Sequence, residues 1–547
     1  MYSRLLVAFV VLNVLLLVHG FNSYHVPPGL DTTEVSPGIE ALQDKLRPLN
    51  ILMAAAYFPG HLFPLMGLGE TLVKRGHNVT LCTTVMQGSK ILPKLAERVG
   101  VKFVSAGYDT MSQQDYENLI REFAVNTINM ELLTRYMGAI PPTNVQVKDQ
   151  MELMGISQYD IIIVDMNTLP IAVYFSKLGI KTILFTSYLA PLTALIPQWT
   201  VPLAPLDQTD DLSFLERLFN AVLQPIFLLK FRTSFEGVCA LDKNFSVVLG
   251  NDNLITYPGM RFPLIVTSVL GFDFPKTIGP LAHYVGPVLM SSSPDLDPTL
   301  SKWLNVRENR SVIYISMGTT GYITSDMAQS LVQGVMATKY DAVWSLRMSN
   351  RDILKDIDID PNRFYLAEWV SQQMVLKHPS ISLTILHCGM NGVQESLYNA
   401  LPIVCLPYSF DHYEMSAKIQ TAGVGVSLYT YFQSLFVGKS FSPESMSQAI
   451  KSVDTTYMRE QAQRLQLMFY FSGGSHRAAE LVEFYEMVDY SHLAPAYVKY
   501  NWSWVQYYNL DVYCVLSVVS CLLLFLVYQV AKSLARCFSI DYKSKLD

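Results

Sequence analysis

The sequence predicts an α/β protein made of two parallel-sheet halves with a single membrane-spanning helix near the C-terminus. Three observations predict it. Short apolar runs alternate with longer helical patterns from residue 49 to about 272, the same alternation restarts at Val312, and residues 512–531 carry no charge. Alternation of this kind builds a parallel sheet covered by helices. An uncharged apolar run of about 20 residues is long enough to cross a bilayer. By length alone the 547-residue chain would allow roughly three to four domains, and a large two-domain enzyme fits equally well.

Taken in order, Arg4 precedes an apolar run over 5–18 and small residues follow, so a cleaved secretory signal peptide is expected over 1–20. An uncleaved anchor is the alternative, although the run is short for a span. The first half, 21–275, has strand candidates at 50–56, 78–83, 101–105, 161–164 and 182–185. Residues 272–298 are rich in Pro, Gly and Ser and form the connection, with the linker proper over 276–298. The second half, 299–490, has strand candidates at 312–316, 342–346, 364–368, 383–386 and 403–406. Two Rossmann-like domains follow. Ligands of such sheets bind beyond the carboxyl ends of the strands, so two facing domains place two substrates in one cleft. A membrane-proximal segment, 491–510, leads to the span at 511–531, with Trp504 and Tyr513 near one interface. Lys532, Arg536, Lys543 and Lys545 follow, which makes 532–547 a cytosolic tail and the body lumenal. Lys543 and Lys545 either resemble a dilysine retrieval signal for the endoplasmic reticulum or are simply a positive-inside tail.

Hydrophobic residues make up 50% of the chain, ample for real cores, and a net charge of −6 with a pI near 6.0 supplies no basic field for nucleic acid. Seven cysteines are too few and too scattered for a disulfide framework. Cys82, Cys388 and Cys405 sit in apolar runs and are expected as buried thiols, Cys514 and Cys521 lie on the span, and Cys537 just past it is a position for palmitoylation. N-x-S/T sequons occur at Asn78, Asn244, Asn309 and Asn501. Asn78 falls in an expected buried strand and should stay bare, and the others need exposed loops.

Residues 369–412 carry the most chemistry. Apolar 383–386 form a short strand, His387-Cys388-Gly389-Met390-Asn391-Gly392 make a turn, and a helix opens at Val393. A helix N-terminus offers unpaired N–H groups and partial positive charge, which suits phosphate. Gly389 and Gly392 let a ligand approach the backbone closely. Trp369 supplies a flat apolar face, Glu395 can accept from ribose hydroxyls, and Asp411 with His412 suits sugar hydroxyls. The combination suggests a sugar nucleotide.

This segment resembles the donor-binding signature of the UDP-glycosyltransferases, glycosyltransferase family 1, at Trp369, Gln372, His378-Pro379, His387, Gly389, Asn391, Glu395, Pro407 and Asp411. Asn391-Gly392 and the stretch Trp504-Val505-Gln506-Tyr507-Tyr508-Asn509-Leu510-Asp511 resemble the animal membrane-bound, glucuronosyltransferase-like branch, and the resemblance covers nearly the whole mature chain. It implies the GT-B fold, in which two Rossmann-like domains face each other across a cleft. It further implies that Trp369 stacks on uracil, Gln372 and Glu395 hold the uridine, His387 with the Gly389 and Gly392 turn holds the pyrophosphate, and Asp411 binds the sugar. His412 departs from the pattern, standing where glutamine is usual.

His61, in Tyr57-Phe58-Pro59-Gly60-His61-Leu62-Phe63-Pro64, follows the first strand and faces the expected cleft; a lone histidine is often only structural. The family carries its catalytic base in this G-H-x-x-P turn, so the resemblance implies that role. Asp165 ends the apolar run 161–164 and can either cap the next helix or partner a base; in the family the corresponding aspartate orients the histidine. Ser316-Met317-Gly318-Thr319-Thr320-Gly321 follows the first strand of the second half. Ser316, Gly318 and Thr319 can present N–H and hydroxyl donors to a diphosphate, or the segment is a plain tight turn. Lys276 stands where glucuronosyl-transferring relatives usually place arginine, and lacks the fork that grips a carboxylate.

Aspartates at 295/297 and 356/358/360 form D-x-D runs that read as solvated loops rather than metal ligands, and no H-E-x-x-H, paired CxxC or Walker A turn occurs, so neither metal nor cofactor is expected. The resemblance therefore implies inverting transfer of a hexosyl group from a UDP-sugar, with UDP-glucuronate and UDP-glucose foremost, to a small lipophilic acceptor, with His61 expected as the base and Asp165 as its partner. The acceptor pocket is expected between about Gly107 and Thr233, and the apolar stretch 219–231 either rests on the membrane or forms a buried amphipathic helix. The alternatives are a UDP-galactose:lipid transferase or a lumenal binding protein of the same fold without turnover, which would not need the base. A homo-oligomer is left open.

Overall fold

The computed structural model describes residues 47–543 except 88–90, 110–111, 126–139, 188–211, 219, 223–239, 244–260, 275–277, 319–320, 409, 437, 495–502 and 508. The described residues from Pro48 onward belong to one compact unit. The signal peptide, Lys276, Thr319, the sequons at Asn244 and Asn501, and parts of the acceptor stretch, with 219 and 223–231 among them, lie outside the described residues.

Two parallel sheets organise the chain. The first is seven-stranded in the order β3-β2-β1-β4-β5-β6-β7, made of β1 Asn50–Ala54, β2 Asn78–Val85, β3 Lys102–Tyr108, β4 Ile161–Asp165, β5 Thr182–Thr186, β6 Leu264–Val266 and β7 Ala282–Tyr284. The second is six-stranded in the order β10-β9-β8-β11-β12-β13, made of β8 Val312–Ser316, β9 Asp341–Ser345, β10 Phe364–Ala367, β11 Ile381–Leu386, β12 Ile403–Cys405 and β13 Gly425–Ser427. Central strands such as β4 and β8 are buried along their full length, because helices cover both faces of a parallel sheet. The edge strand β3 alternates exposed and half-buried residues instead. All ten strands read from the sequence are present. The three that the sequence reading lacks, β6, β7 and β13, span three residues each, too short for an apolar run to register. Of these, β7 lies in the stretch expected as linker; its pairing with β6 carries the first sheet to Tyr284.

The chain runs β1, β2, β3 outward and returns as β4 on the other side of β1, and repeats the move with β8, β9, β10 and β11. Each sheet thus has a switch point where the order reverses, and a crevice opens beyond the carboxyl ends of the two flanking strands. The residues after β1 and β4 are the His61 and Asp165 segments; those after β8 and β11 are the Ser316 and His387 turns.

Helices pack on these sheets by burying apolar stripes. In the first half they are α1 Pro59–Lys74, α2 Ile91–Val99, α3 Gln113–Val125, α4 Ile140–Leu153 and α5 Leu169–Lys177; in the second α6 Pro298–Asn305, α7 Ser325–Met336, α8 Gln372–Leu376, α9 Met390–Tyr398, α10 Phe410–Thr421, α11 Tyr431–Phe436, α12 Pro443–Val453, α13 Thr456–Phe471 and α14 Gly474–Met487. In α1 the inner residues Leu62, Leu65, Leu68 and Leu72 are fully buried. Asp297, one of the D-x-D aspartates, caps α6 by accepting from Thr299 and Leu300 N–H at 2.9 and 3.2 Å.

Late in the chain, α14 crosses back to the first half. Its Ala478, Ala479, Leu481, Val482 and Tyr485 belong to the core that β1 and α1 build. Glu483 joins the first half through Arg75 Nη2 at 2.6 Å and His77 Nε2 at 2.9 Å. The connection is tied down as well: Glu70 of α1 accepts from Ser291 N–H at 2.8 Å and pairs with Lys74 at 2.7 Å. On the second half, buried Lys418 of α10 meets Asp273 at 2.7 Å and Glu414 at 2.6 Å, and Tyr284 O–H donates to the other Asp273 oxygen at 2.9 Å.

After a short helix α15, Trp504–Tyr507, comes α16, Leu510–Lys543, of which Leu510–Leu534 is long and apolar enough to cross a membrane. Two expectations about particular residues are corrected. Cys388 and Cys405 are joined in a disulfide rather than being separate buried thiols; Cys405 ends β12 and Cys388 lies two residues past the end of the adjacent parallel strand β11, with their Cα atoms 5.6 Å apart. Asn78 begins β2 and is exposed, with its amide on Asn50 Oδ1 at 3.1 Å, although the rest of that strand is buried. Asn309 occupies an exposed turn, and Cys82 is a buried thiol whose pKa burial pushes up to about 12.

Candidate active site

Pro59 at the N-terminus of α1 places His61 in that helix's first turn, just beyond β1, and β4 delivers Asp165 beside it. His61 Nδ1 lies 2.9 Å from Asp165 Oδ2. The other carboxylate oxygen, Oδ1, accepts from Asn167 N–H at 3.0 Å and caps the following helical turn. Asp165 therefore contacts the His61 ring with one oxygen and caps the helical turn with the other. Asp165 is fully buried, and that fixes the imidazole from behind. Burial lowers the His61 pKa, but attraction to Asp165, its hydrogen bond and the charge of Asp411 outweigh it, so the pKa ends above the ordinary 6.5. The ring is primed to receive a proton.

Across the cleft, α9 starts at Met390 with Gly389 as its N-cap, three residues earlier than Val393. Asn391 and Gly392 thus sit in the helix's first turn, where N–H groups have no intrahelical acceptor. Asn391 Nδ2 donates to the carbonyl of Gly60 at 2.9 Å, spanning the two halves one residue from His61. That carbonyl is open to it for a local reason. Pro64 lies inside α1, four residues after Gly60, and proline has no N–H to close the helical bond.

His387 is 9% exposed and is held between Gly318 and Gly389, where a Cβ at either position would overlap its imidazole. Gly318 has φ +64°, and its N–H bonds Ser316 Oγ at 3.2 Å. The two small-residue turns thus converge on one ring. His412 packs edge-on to that ring at 4.8 Å, and Tyr408 lies tilted against His412 at 4.8 Å. Burial, with His412 as a neighbour, lowers the His387 pKa to about 3, and burial beside Lys439 does the same for His412. Both are neutral imidazoles near pH 7. His412 is 4% exposed, so it braces His387 from behind while Asp411, at the start of α10, is the more open of the pair. Lys439 Nζ bonds the Tyr408 carbonyl at 2.6 Å.

Further along the second sheet Trp369 is 69% exposed, a free ring face at the end of β10. Gln372 joins Tyr314 O–H, which donates to its Oε1 at 2.9 Å, to Glu395, which accepts from its amide. Desolvation pushes the Glu395 pKa up to about 7 against the pull of the Gln372 and Gln373 amides. Asn167, Tyr408 and Lys439 were not read from the sequence. Single polar or aromatic residues after strands carry no spacing signal, and their place emerges only when the turns come together.

One sheet presents a histidine–carboxylate pair; the other presents helix N–H groups, a neutral histidine and a free indole. This is the layout of an enzyme that moves a sugar from a nucleotide carrier. The chain belongs to the UDP-glucoronosyl and UDP-glucosyl transferase family, whose model matches residues 51–544. It is similar to the 2-hydroxyacylsphingosine 1-beta-galactosyltransferase of Mus musculus, 24% identical over 89% of this chain and 88% of that protein. It is also similar to the UDP-glucuronosyltransferase 3A2 of Mus musculus, 21% identical over 91% and 96%. Among solved structures it matches the calicheamicin glycosyltransferase, with TM-score 0.57 and 18% identity over 82% of this chain and 100% of that one. A UDP-glucosyltransferase from Polygonum tinctorium matches with TM-score 0.55 and 15% identity over 81% and 100%. The fold is GT-B, and the protein is a UDP-glycosyltransferase with one apolar helix that fits membrane anchoring.

Changing Gly318 to alanine is expected to raise the KM for UDP-sugar about tenfold or more, since the site combines a left-handed backbone with no room for a Cβ. Donor kinetics check this; an unchanged KM would show that the turn does not meet the diphosphate.

Proposed function

We propose that this enzyme transfers a hexosyl group, with inversion, from a UDP-sugar to a hydroxyl of a small lipophilic acceptor. The observation that carries the reading is the His61–Asp165 pair facing the His387 turns, with Asn391 bridging to Gly60 between them. The acceptor O–H gives its proton to His61 Nε2 while the oxygen attacks the anomeric carbon. The bond from that carbon to UDP breaks and its electron pair leaves on the β-phosphate. Asp165 stabilises the imidazolium, and the α9 N-terminus with the Gly318 and Gly389 turns takes up the charge of departing UDP. Trp369 stacks on uracil, Gln372 and Glu395 hold the ribose and base, and Asp411 meets the sugar hydroxyls. UDP-glucuronate and UDP-glucose are the donors of this reading. The body is lumenal in the endoplasmic reticulum, held by the span at Leu510–Leu534.

Galactosyl transfer to a lipid is the second reading, favoured by the similarity to the 2-hydroxyacylsphingosine 1-beta-galactosyltransferases. A panel of UDP-glucuronate, UDP-glucose, UDP-galactose and UDP-N-acetylglucosamine against phenol, sterol and ceramide acceptors, scored by conjugate mass, separates the two. No conjugate from any pair would sink both.

Glu395 adds a pH dependence. Ribose hydroxyls donate to it, so the ionised form binds donor, and with a pKa of about 7 that form is lost as pH falls below 7. The donor KM is expected to rise between pH 7.5 and about 5.5, by roughly tenfold per unit at the steepest. In Glu395→Gln the rise should be absent. A wild-type profile identical to that of the variant would remove Glu395 from the donor site.

A further inference from the structure

His61 carries a hydrogen bond on each ring nitrogen. Nδ1 meets Asp165 Oδ2 at 2.9 Å, and Nε2 meets the side-chain Nδ2 of Asn167 at 3.2 Å. An ionised carboxylate only accepts, so Nδ1 holds the ring proton and Nε2 of the neutral ring offers a lone pair. That lone pair is the one an acceptor hydroxyl must reach, and an amide N–H of Asn167 already points at it. The same carboxylate anchors both partners, since Asn167 N–H donates to Asp165 Oδ1 at 3.0 Å. From α4, Asn144 Nδ2 reaches the Asn167 carbonyl at 3.5 Å. Asn167 is half-buried in the helical turn Met166–Thr168, so its backbone is set by the cap and its amide faces the ring.

We propose that Asn167 is a positioning residue for the base, its amide donating to His61 Nε2 and standing where the acceptor hydroxyl comes to lie. The proposal rests on the reading of His61 as the base. Two effects follow from a donor at that nitrogen. With both nitrogens engaged the ring cannot turn over, so the tautomer that has its lone pair toward the cleft is kept. An N–H directed at Nε2 also stabilises the neutral ring and opposes protonation in the absence of substrate. Among the described residues the charges acting on His61 are Asp165, at the end of β4, and Asp411, in the first turn of α10; both favour the imidazolium. Asn167 counters them with a neutral group. When acceptor binds, its hydroxyl replaces the amide as donor to Nε2, and the proton then passes along that new bond.

The test uses the full chain in detergent micelles with labelled histidine, and compares wild type with Asn167→Leu, Asn167→Ser and Asn167→Asp. Two readouts are taken, the NMR titration of His61, assigned with His61→Gln, and the acid limb of kcat/KM against pH. In the leucine and serine variants both are expected to move upward by roughly half to one pH unit, as the donor to Nε2 is lost. In the aspartate variant a carboxylate faces Nε2 and the upward move should be larger. Serine adds no bulk, so it keeps the experiment readable if leucine impairs folding. A His61 titration at the same pH in wild type and in the serine variant would overturn the proposal. Failure of the underlying reading looks different: His61→Gln would then transfer sugar as well as wild type, wherever the ring titrates.

Discussion

Replacing His61 by alanine is expected to lower kcat for sugar transfer roughly 10²- to 10⁴-fold and leave the KM for UDP-sugar within about twofold. The ring lies on the first sheet, 2.9 Å from Asp165, whereas the groups suited to the nucleotide lie on the second. In the proposed reaction, proton removal and donor binding are therefore separable in space. Asp165→Ala should cost a similar order, and the double variant little more than either single one, because the two act as a unit. Asp165→Ala also removes the cap accepted from Asn167, worth about 1 kcal/mol of stability. Steady-state kinetics with saturating acceptor decide the matter; transfer by His61→Ala at the wild-type rate would remove His61 from the reaction.

A second large effect is expected far from the chemistry. Lys418 is 2% exposed and is the cation between Asp273 and Glu414, which are 1% and 7% exposed. Changing Lys418 to methionine leaves two carboxylates facing each other in the interior and should destabilise the fold by about 3–5 kcal/mol. Adding Asp273→Asn and Glu414→Gln to the same chain removes the uncompensated charge and should recover most of that loss. Denaturant unfolding of the three forms is the measurement, and a Lys418→Met loss below about 1 kcal/mol would mean the ion group is not the tie it resembles.

How much of this was legible in the sequence depended on whether a residue's neighbours along the chain were also its neighbours in space. β4, read from Ile161-Ile162-Ile163-Val164, is a continuous apolar run because both faces of a parallel strand are covered. The segment around His387 was legible because one strand, one turn and one helix hold it. β13 was missed because three residues beginning at Gly425 show no run. The Cys388–Cys405 disulfide was missed because strand pairing, not spacing, makes those two adjacent. The return of α14 to the first half could not be read at all, since an apolar stripe states that a helix packs and not against what. Asp165 was left between cap and partner, and the structure puts one of its oxygens on the cap and the other against the His61 ring.

Pro64 looks like a fault in α1, a proline one turn into a helix. Its missing N–H leaves the Gly60 carbonyl for Asn391 of the opposite half. Any other residue there would mend the helix by reclaiming that carbonyl, and the bridge beside His61 would have to compete for it. The local defect is therefore a socket: α1 gives up part of its own regularity so that the opposite half has something to plug into.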